Sequence, residues 1–262
     1  MGLFAFVFIF SAGKAGSILV RNHRAEKAYS ALRAEARQTA PLPAPVPAAA
    51  APAEADPTSA EAAPAPTESP APRRRNSMDI PALQRSYPEL KGWIWGDGTV
   101  IDYPLMQSTD NYRYLNHLYD GTLNDNGAIF IDYRNAGLLE DGNTVIYGHN
   151  MDDGAIFAPV DMYRDPAYYK AHPTMEIYTP EGDWRVEFLS GTVENGDYEF
   201  VRFDFDDFAD MSAYVSSLRS RSTFQSDVEL REGDKLVSLC TCTYVGVNTR
   251  FMLVGRVEEI YE

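Results

Sequence analysis

Three side chains set the chemical question in this sequence: the thiol of Cys242, the guanidinium of Arg250 and the imidazole of His149. Acyl transfer through a thiol needs a nucleophile, a group that carries the proton and a donor for the developing oxyanion. The three residues supply one of each. Cys242 ends the apolar run KLVSLCTC, where a strand meets a loop, and after Thr243–Thr249 a second run, RFMLVGRV, begins at Arg250. If the runs pair as a hairpin, Cys242 and Arg250 stand nearly opposite each other. There a guanidinium favours the thiolate and can hold a substrate carbonyl. His149 follows an apolar run and a glycine in NTVIYGHNM, which puts it at a strand's end.

Spacing alone also fits a buried cysteine, a surface arginine and a structural histidine. The other histidines are weaker candidates: His23 adjoins the apolar N-terminal stretch, His172 precedes Pro173 in a polar loop, and His117 sits in YLNHLYD. Cys240 and Cys242 would share one face of a strand, at the long end of the separation a disulfide tolerates, so no bridge is expected and at least one thiol is left free for chemistry. A C-x-C pair gives only two metal ligands and no second pair exists, so neither metal nor cofactor is expected.

The elements that must position these groups are mostly strands. Short β-type runs separated by Gly, Asn and Asp cover Thr99–Tyr103, Ala128–Asp132, Thr144–Tyr147, Met175–Thr179, Trp184–Val193, Lys235–Thr241 and Arg250–Val257. Seven or more short strands in one domain imply a closed or nearly closed barrel. Asp79 can cap a short helix ending near Tyr87. Phe208, Met211, Tyr214, Val215 and Leu218 fall at helical spacing, which predicts an amphipathic helix over 207–220, inserted between two strands.

The chain divides into three parts. Residues 1–37 hold an apolar stretch, Leu3–Val20, read as a single-pass membrane anchor, and a helix-forming segment, 22–37, read as its juxtamembrane continuation. Eighteen helical residues span about 27 Å, enough for a bilayer core. Lys14 interrupts the stretch, and Arg21, Arg24 and Lys27 follow it, against the positive-inside rule for an external C-terminal side. Residues 38–76 are rich in Pro and Ala, cannot bury a core and are read as a disordered spacer. Residues 77–262 are read as the catalytic domain, and a fragment starting at Ser77, which carries every proposed catalytic group, is expected to be soluble, folded and active. Charge is uneven: residues 1–76 hold nine Lys/Arg against six Asp/Glu, a net of +3, and 77–262 hold fourteen against thirty-two, a net of −18. So acidic a domain excludes nucleic acid as a partner.

Taken together, PELKGWIW, VIDYPLMQSTDNYRYLNH, GAIFIDYRN, NTVIYGHNMDDGAIFA, SLCTCTY and NTRFMLVGRV make the chain resemble class B sortases, the cysteine transpeptidases of Gram-positive cell surfaces. The resemblance runs from about Pro88 to Val257. The family's pattern is Thr-Leu-x-Thr-Cys followed by an arginine, and here Ser238-Leu239-Cys240-Thr241-Cys242 matches with Ser in the first place. The resemblance implies a mainly β fold, a sortase-type closed barrel with N-terminal helices, in which the helix at 207–220 is the class B insertion. It implies Cys242 as nucleophile, with His149 and Arg250 completing the site. Asn111 and Leu115 match groove positions, and Ser238 and Cys240 are placed beside the substrate. The implied reaction cleaves a sorting signal of the Asn-Pro-x-Thr-Asn type after Thr and joins the acyl group to an amine of peptidoglycan or a pilin. The implied location is the cell membrane, with the catalytic domain outside the cytoplasm. Two rival readings use the same residues: a thiol hydrolase, and a surface-assembly protein that binds peptide without turning it over.

Overall fold

The computed structural model describes residues 2–38, 75–197 and 199–261, with side chains from residue 16 onward. The expected spacer falls almost wholly outside the described residues, and so do the side chains of residues 3–15 of the expected anchor. Among the described residues, no helix is long and apolar enough to cross a membrane.

Helix α1 (Gly2–Gln38) is continuous. Ala25, Tyr29, Leu32 and Ala36 recur every three or four residues, form one stripe and are buried in the main core. The segment expected to continue an anchor is thus packed on the domain. Arg37 Nη2 reaches Asp102 Oδ2 at 2.8 Å, and Arg75 Nε reaches Asp183 Oδ2 at 2.7 Å. Both ends of 39–74 are therefore tied to the same barrel. Helix α2 (Ile80–Ser86) begins as expected, with Asp79 Oδ1 accepting from Ala82 N at 2.9 Å.

Eight strands follow: β1 (Leu90–Trp95), β2 (Asp102–Met106), β3 (Ile129–Ile131), β4 (Asn143–Tyr147), β5 (Thr174–Thr179), β6 (Gly182–Asn195), β7 (Lys235–Thr243) and β8 (Thr249–Glu259). They close into a barrel in the order β1-β2-β3-β4-β7-β8-β6-β5. Only β2·β3 and β4·β7 are parallel. Short helices α3 (Ala158–Asp161) and α4 (Pro166–Ala171) lie between β4 and β5, and α5 (Phe208–Arg219) between β6 and β7. The predicted helix at 207–220 is α5, whose first turn is capped by Asp207 accepting from Asp210 N at 2.9 Å.

Alternation along the strands builds two apolar layers. Val237, Leu239, Phe251 and Leu253 point into the barrel. Leu236, Cys240, Met252 and Val254 point outward, under Met211, Val215 and Leu218 of α5. Two strands differ from expectation. β1 is absent from the expected runs, and its chain bulges between Leu90 and Gly92. A Cβ there would stand 2.6 Å from Tyr178 O, so only glycine lets β5 approach. β2 starts later than expected, because Gly98 has φ +67° and Thr99 Oγ1 turns back to Gly96 O.

Candidate active site

Cys242 and Arg250 are direct partners in the antiparallel β7·β8 ladder. The inward residues between them and the barrel floor fix this register, since a one-residue slip would turn Cys242 into the core. The connection is tighter than expected: the strands run to Thr243 and from Thr249, and Thr249 Oγ1 donates to Thr243 O at 2.9 Å.

His149 comes from the parallel neighbour on the other side of β7. Tyr147 of β4 is paired with Cys240, and two residues further along each chain stand His149 and Cys242. Gly148 makes the turn, where a Cβ would meet the Phe157 ring at 2.7 Å. Asn150 Nδ2 donates to Cys242 O at 2.9 Å and ties the turn to β7. The imidazole Nε2 lies 2.7 Å from Leu115 O. A carbonyl only accepts, so Nε2 carries a proton toward Leu115 O, and Nδ1 is the nitrogen left for exchange with the cleft. Gly127 has φ +62° and lets the loop carrying Leu115 pass close: a Cβ there would lie 2.4 Å from Tyr114 O and 3.2 Å from His149 Cδ2.

Together these groups line a cleft of about 230 Å³ that also receives Asn111, Leu115, Phe130, Tyr147, Cys240 and Thr241. Two larger cavities, about 490 and 600 Å³, lie against α1 and contain no thiol. The two cysteines differ sharply. Cys242 is partly exposed at the strand's end, while Cys240 is buried, with 1 % of its surface accessible. Burial pushes the Cys240 thiol far above its ordinary range, the Asp132 and Glu194 carboxylates add to this, and Arg250 opposes them. Cys240 is therefore a neutral thiol at the floor of the cleft. Among the described residues, no group of three or more His, Cys, Asp or Glu could hold a metal ion.

No family model matches the chain. Individual relatives do. The chain is 35 % identical over 164 residues to Sortase B of Listeria monocytogenes, covering 63 % of this chain and 67 % of that protein. Its fold matches Sortase B of Clostridium perfringens with a TM-score of 0.64 at 31 % identity, over 68 % of this chain and 98 % of that one. A Staphylococcus aureus sortase B–substrate complex matches with a TM-score of 0.65 at 26 % identity, over 69 % of this chain and 85 % of the other. The chain belongs to the sortase B family. As a class B sortase it is a cysteine transpeptidase on a closed β-barrel, and the resemblance read from its motifs holds.

Within this sortase, Cys242, His149 and Arg250 meet in one cleft with Asn111, Leu115 and Cys240. Ser238 does not join them. It is fully buried, and its hydroxyl donates to Asn143 Oδ1 at 3.0 Å, so it fastens β7 to β4 and stands away from the groove. His117 and His172 bind backbone carbonyls of Arg113 and Asp97 away from the cleft. Phe130, Tyr147 and Asn150 escaped the sequence reading. Tyr147 OH donates to the buried Asp132 at 3.0 Å. Burial alone would raise the Asp132 carboxyl, but hydrogen bonds from Arg134 and Asn111 hold it below the usual carboxylate range. Asp132 thus anchors both Tyr147 and Asn111. Its signal was present only as the D of GAIFIDYRN, one residue past an apolar run.

Proposed function

We propose that this sortase cleaves a sorting-signal peptide after threonine and transfers the acyl group to an amine, with Cys242 as nucleophile. The Cys242 thiolate attacks the threonyl carbonyl carbon, and the developing oxyanion is held by Arg250. As the C–N bond breaks, His149, holding the proton that left the Cys242 thiol, gives it from Nδ1 to the departing amine, leaving a thioester on Cys242. An acceptor amine attacks that thioester, yields a proton to His149 and releases the thiolate. Asn111 and Leu115 line the groove that takes the peptide. Leu115 has a second duty, since its carbonyl holds the Nε2 proton of His149 and leaves Nδ1 to exchange the other.

The observation that carries this reading is the row formed by His149, Cys242 and Arg250 at the end of three adjacent strands, opening on one cleft. The signal is of the Asn-Pro-x-Thr-Asn type, and the amine comes from a peptidoglycan cross-bridge, a stem peptide or a pilin lysine. The enzyme works outside the cytoplasm at the membrane, held there by its apolar N-terminal stretch. Mass spectrometry of products from Asn-Pro-x-Thr-Asn peptides, x randomised, with and without triglycine or a lysine peptide, tests the reaction. A ligated product is expected. Release of free threonyl acid alone, undiminished by amine, would make the protein a hydrolase and overturn the transfer step.

A further inference from the structure

Arg250 has a second in-register neighbour. On its far side from Cys242 it faces Glu194 of β6, so thiol, guanidinium and carboxylate stand in one row on the outer face of the sheet. Opposed Cβ atoms in such a ladder lie about 4.5–5.5 Å apart, within reach of a carboxylate–guanidinium contact. The guanidinium already leans that way: its Cζ lies 3.3 Å from where a Cβ on Gly196 would be. Glu194 is buried, with 7 % of its surface accessible, and a buried carboxylate pairs strongly with any cation it meets. An arginine locked to it would have its fork occupied and its charge neutralised.

Among the described residues, however, Arg250 forms no ion pair, and the hydrogen bond it makes runs from Nη1 to Thr249 O at 3.1 Å. Glu194 is engaged elsewhere. Arg221, two residues beyond the end of α5, brings Nη1 to 2.6 Å from Oε1 and 2.7 Å from Oε2. The geometry toward Oε1 makes no hydrogen bond, so that buried oxygen remains an open acceptor.

We propose that Arg221 is a positioning residue that occupies Glu194 and thereby keeps Arg250 free to face the cleft. This rests on the reading of Arg250 as the oxyanion donor. The docking of the segment after α5 and the availability of the active-site arginine then compete for one carboxylate. Loss of Arg221 hands Glu194 to Arg250, and removal of the carboxylate as well releases Arg250 again.

The test is the nitrogen-15 spectrum of arginine guanidinium groups in the full chain, with Arg250 assigned by its loss in Arg250→Lys. In Arg221→Ala the Arg250 Nη signals are expected to split and their rotation to slow, as carboxylate pairing demands. In Arg221→Ala/Glu194→Gln they return to the wild-type pattern. In parallel, kcat/KM on internally quenched Asn-Pro-x-Thr-Asn peptides falls about tenfold in Arg221→Ala, the scale of one charge-assisted hydrogen bond, and recovers in the double variant. Glu194→Gln alone stays within about twofold of wild type, a change too small for a lost hydrogen bond. Unchanged Arg250 signals in Arg221→Ala, or a double variant as impaired as the single one, overturn the proposal. Should Arg221→Ala fail to fold, Arg221→Gln poses the same comparison. Wild-type turnover in Arg250→Ala would instead sink the catalytic reading of Arg250 and leave the pairing result standing.

Discussion

The two halves of the active site are held by different physics. Cys242 and Arg250 sit on neighbouring strands, and their separation is set by a main-chain ladder that runs the length of β7 and β8. His149 sits past the end of β4, and its ring is aimed by a carbonyl from a loop, Leu115 O. That loop is held in turn by α1. Tyr29 OH donates to Gly127 O at 2.7 Å, Asn124 Nδ2 donates to Arg21 O at 3.1 Å, and Arg21 pairs with Asp125. Asn22 Nδ2 reaches Asp153 Oδ2 at 2.7 Å, on the loop that follows His149. A sheet ladder fails only when the barrel fails. A loop strapped by a few side chains can lose its aim while the barrel survives.

The largest effect should come from the sheet-borne half. Cys242→Ala is expected to abolish peptide cleavage and acyl transfer, while Cys240→Ser keeps most of both, measured by product mass spectrometry. Because Cys240 is buried and its thiol neutral, iodoacetamide at neutral pH should label Cys242 alone. Equal labelling of both would contradict the burial of Cys240. Arg250→Lys keeps the charge but not the planar fork, and should lower kcat/KM by about 100-fold, the lower end of the range for losing an oxyanion donor. A twofold loss would reduce Arg250 to a general field effect.

The loop-borne half is reached through α1. A chain lacking residues 2–38 loses the buried Tyr29 and Leu32, worth about 3–6 kcal/mol together at the usual value for burying such side chains. That is a large share of a domain's total stability, about 5–15 kcal/mol. Thermal melting should fall accordingly, and turnover should fall further than the rate at which Cys242 is alkylated. A truncated chain as stable and active as the whole would show that α1 only rests on the barrel. Tyr29→Phe sharpens the same point with one atom. It removes the donor to Gly127 O and should cost about 1–2 kcal/mol in melting experiments, since a buried carbonyl is left unpaired.

How much of this was legible follows the same division. The hairpin could be read because two apolar runs of matching length flank a short polar gap, and register then placed Arg250 across from Cys242. The helix α5 was legible from its period and from Asp207 at its start. β1 was not, because Gly92 serves a close approach that only the folded barrel reveals, and glycine otherwise reads as a break. The packing of α1 was hidden for another reason. Two of its four buried contacts are Ala25 and Ala36, which carry no apolar signal strong enough to separate a docked helix from a free one. Phe130 and Tyr147 reach the cleft through pairings between distant strands, and composition says nothing about which strands those will be.

The smallest expected effect tests how α1 ends. Arg37 pairs with Asp102 Oδ2 at 2.8 Å, but 70 % of the Arg37 side chain is exposed, so water and salt screen the pair. Arg37→Ala should cost no more than about 0.5 kcal/mol, as exposed ion pairs do, and leave turnover unchanged. Asp102 has a second partner that changes the outcome. Its Oδ1 accepts from Trp93 Nε1 at 2.8 Å, and Trp93 is fully buried on β1. Asp102→Ala therefore strands an indole N–H inside the protein and should cost about 1–3 kcal/mol, several times the loss from Arg37→Ala. Urea unfolding of the two variants separates these cases. If both cost the same small amount, the indole finds another acceptor and the end of α1 is held by its apolar stripe alone. If both cost the same large amount, the Arg37 contact is stronger than its exposure allows, and α1 is strapped to the sheet as firmly at Gln38 as it is at Tyr29.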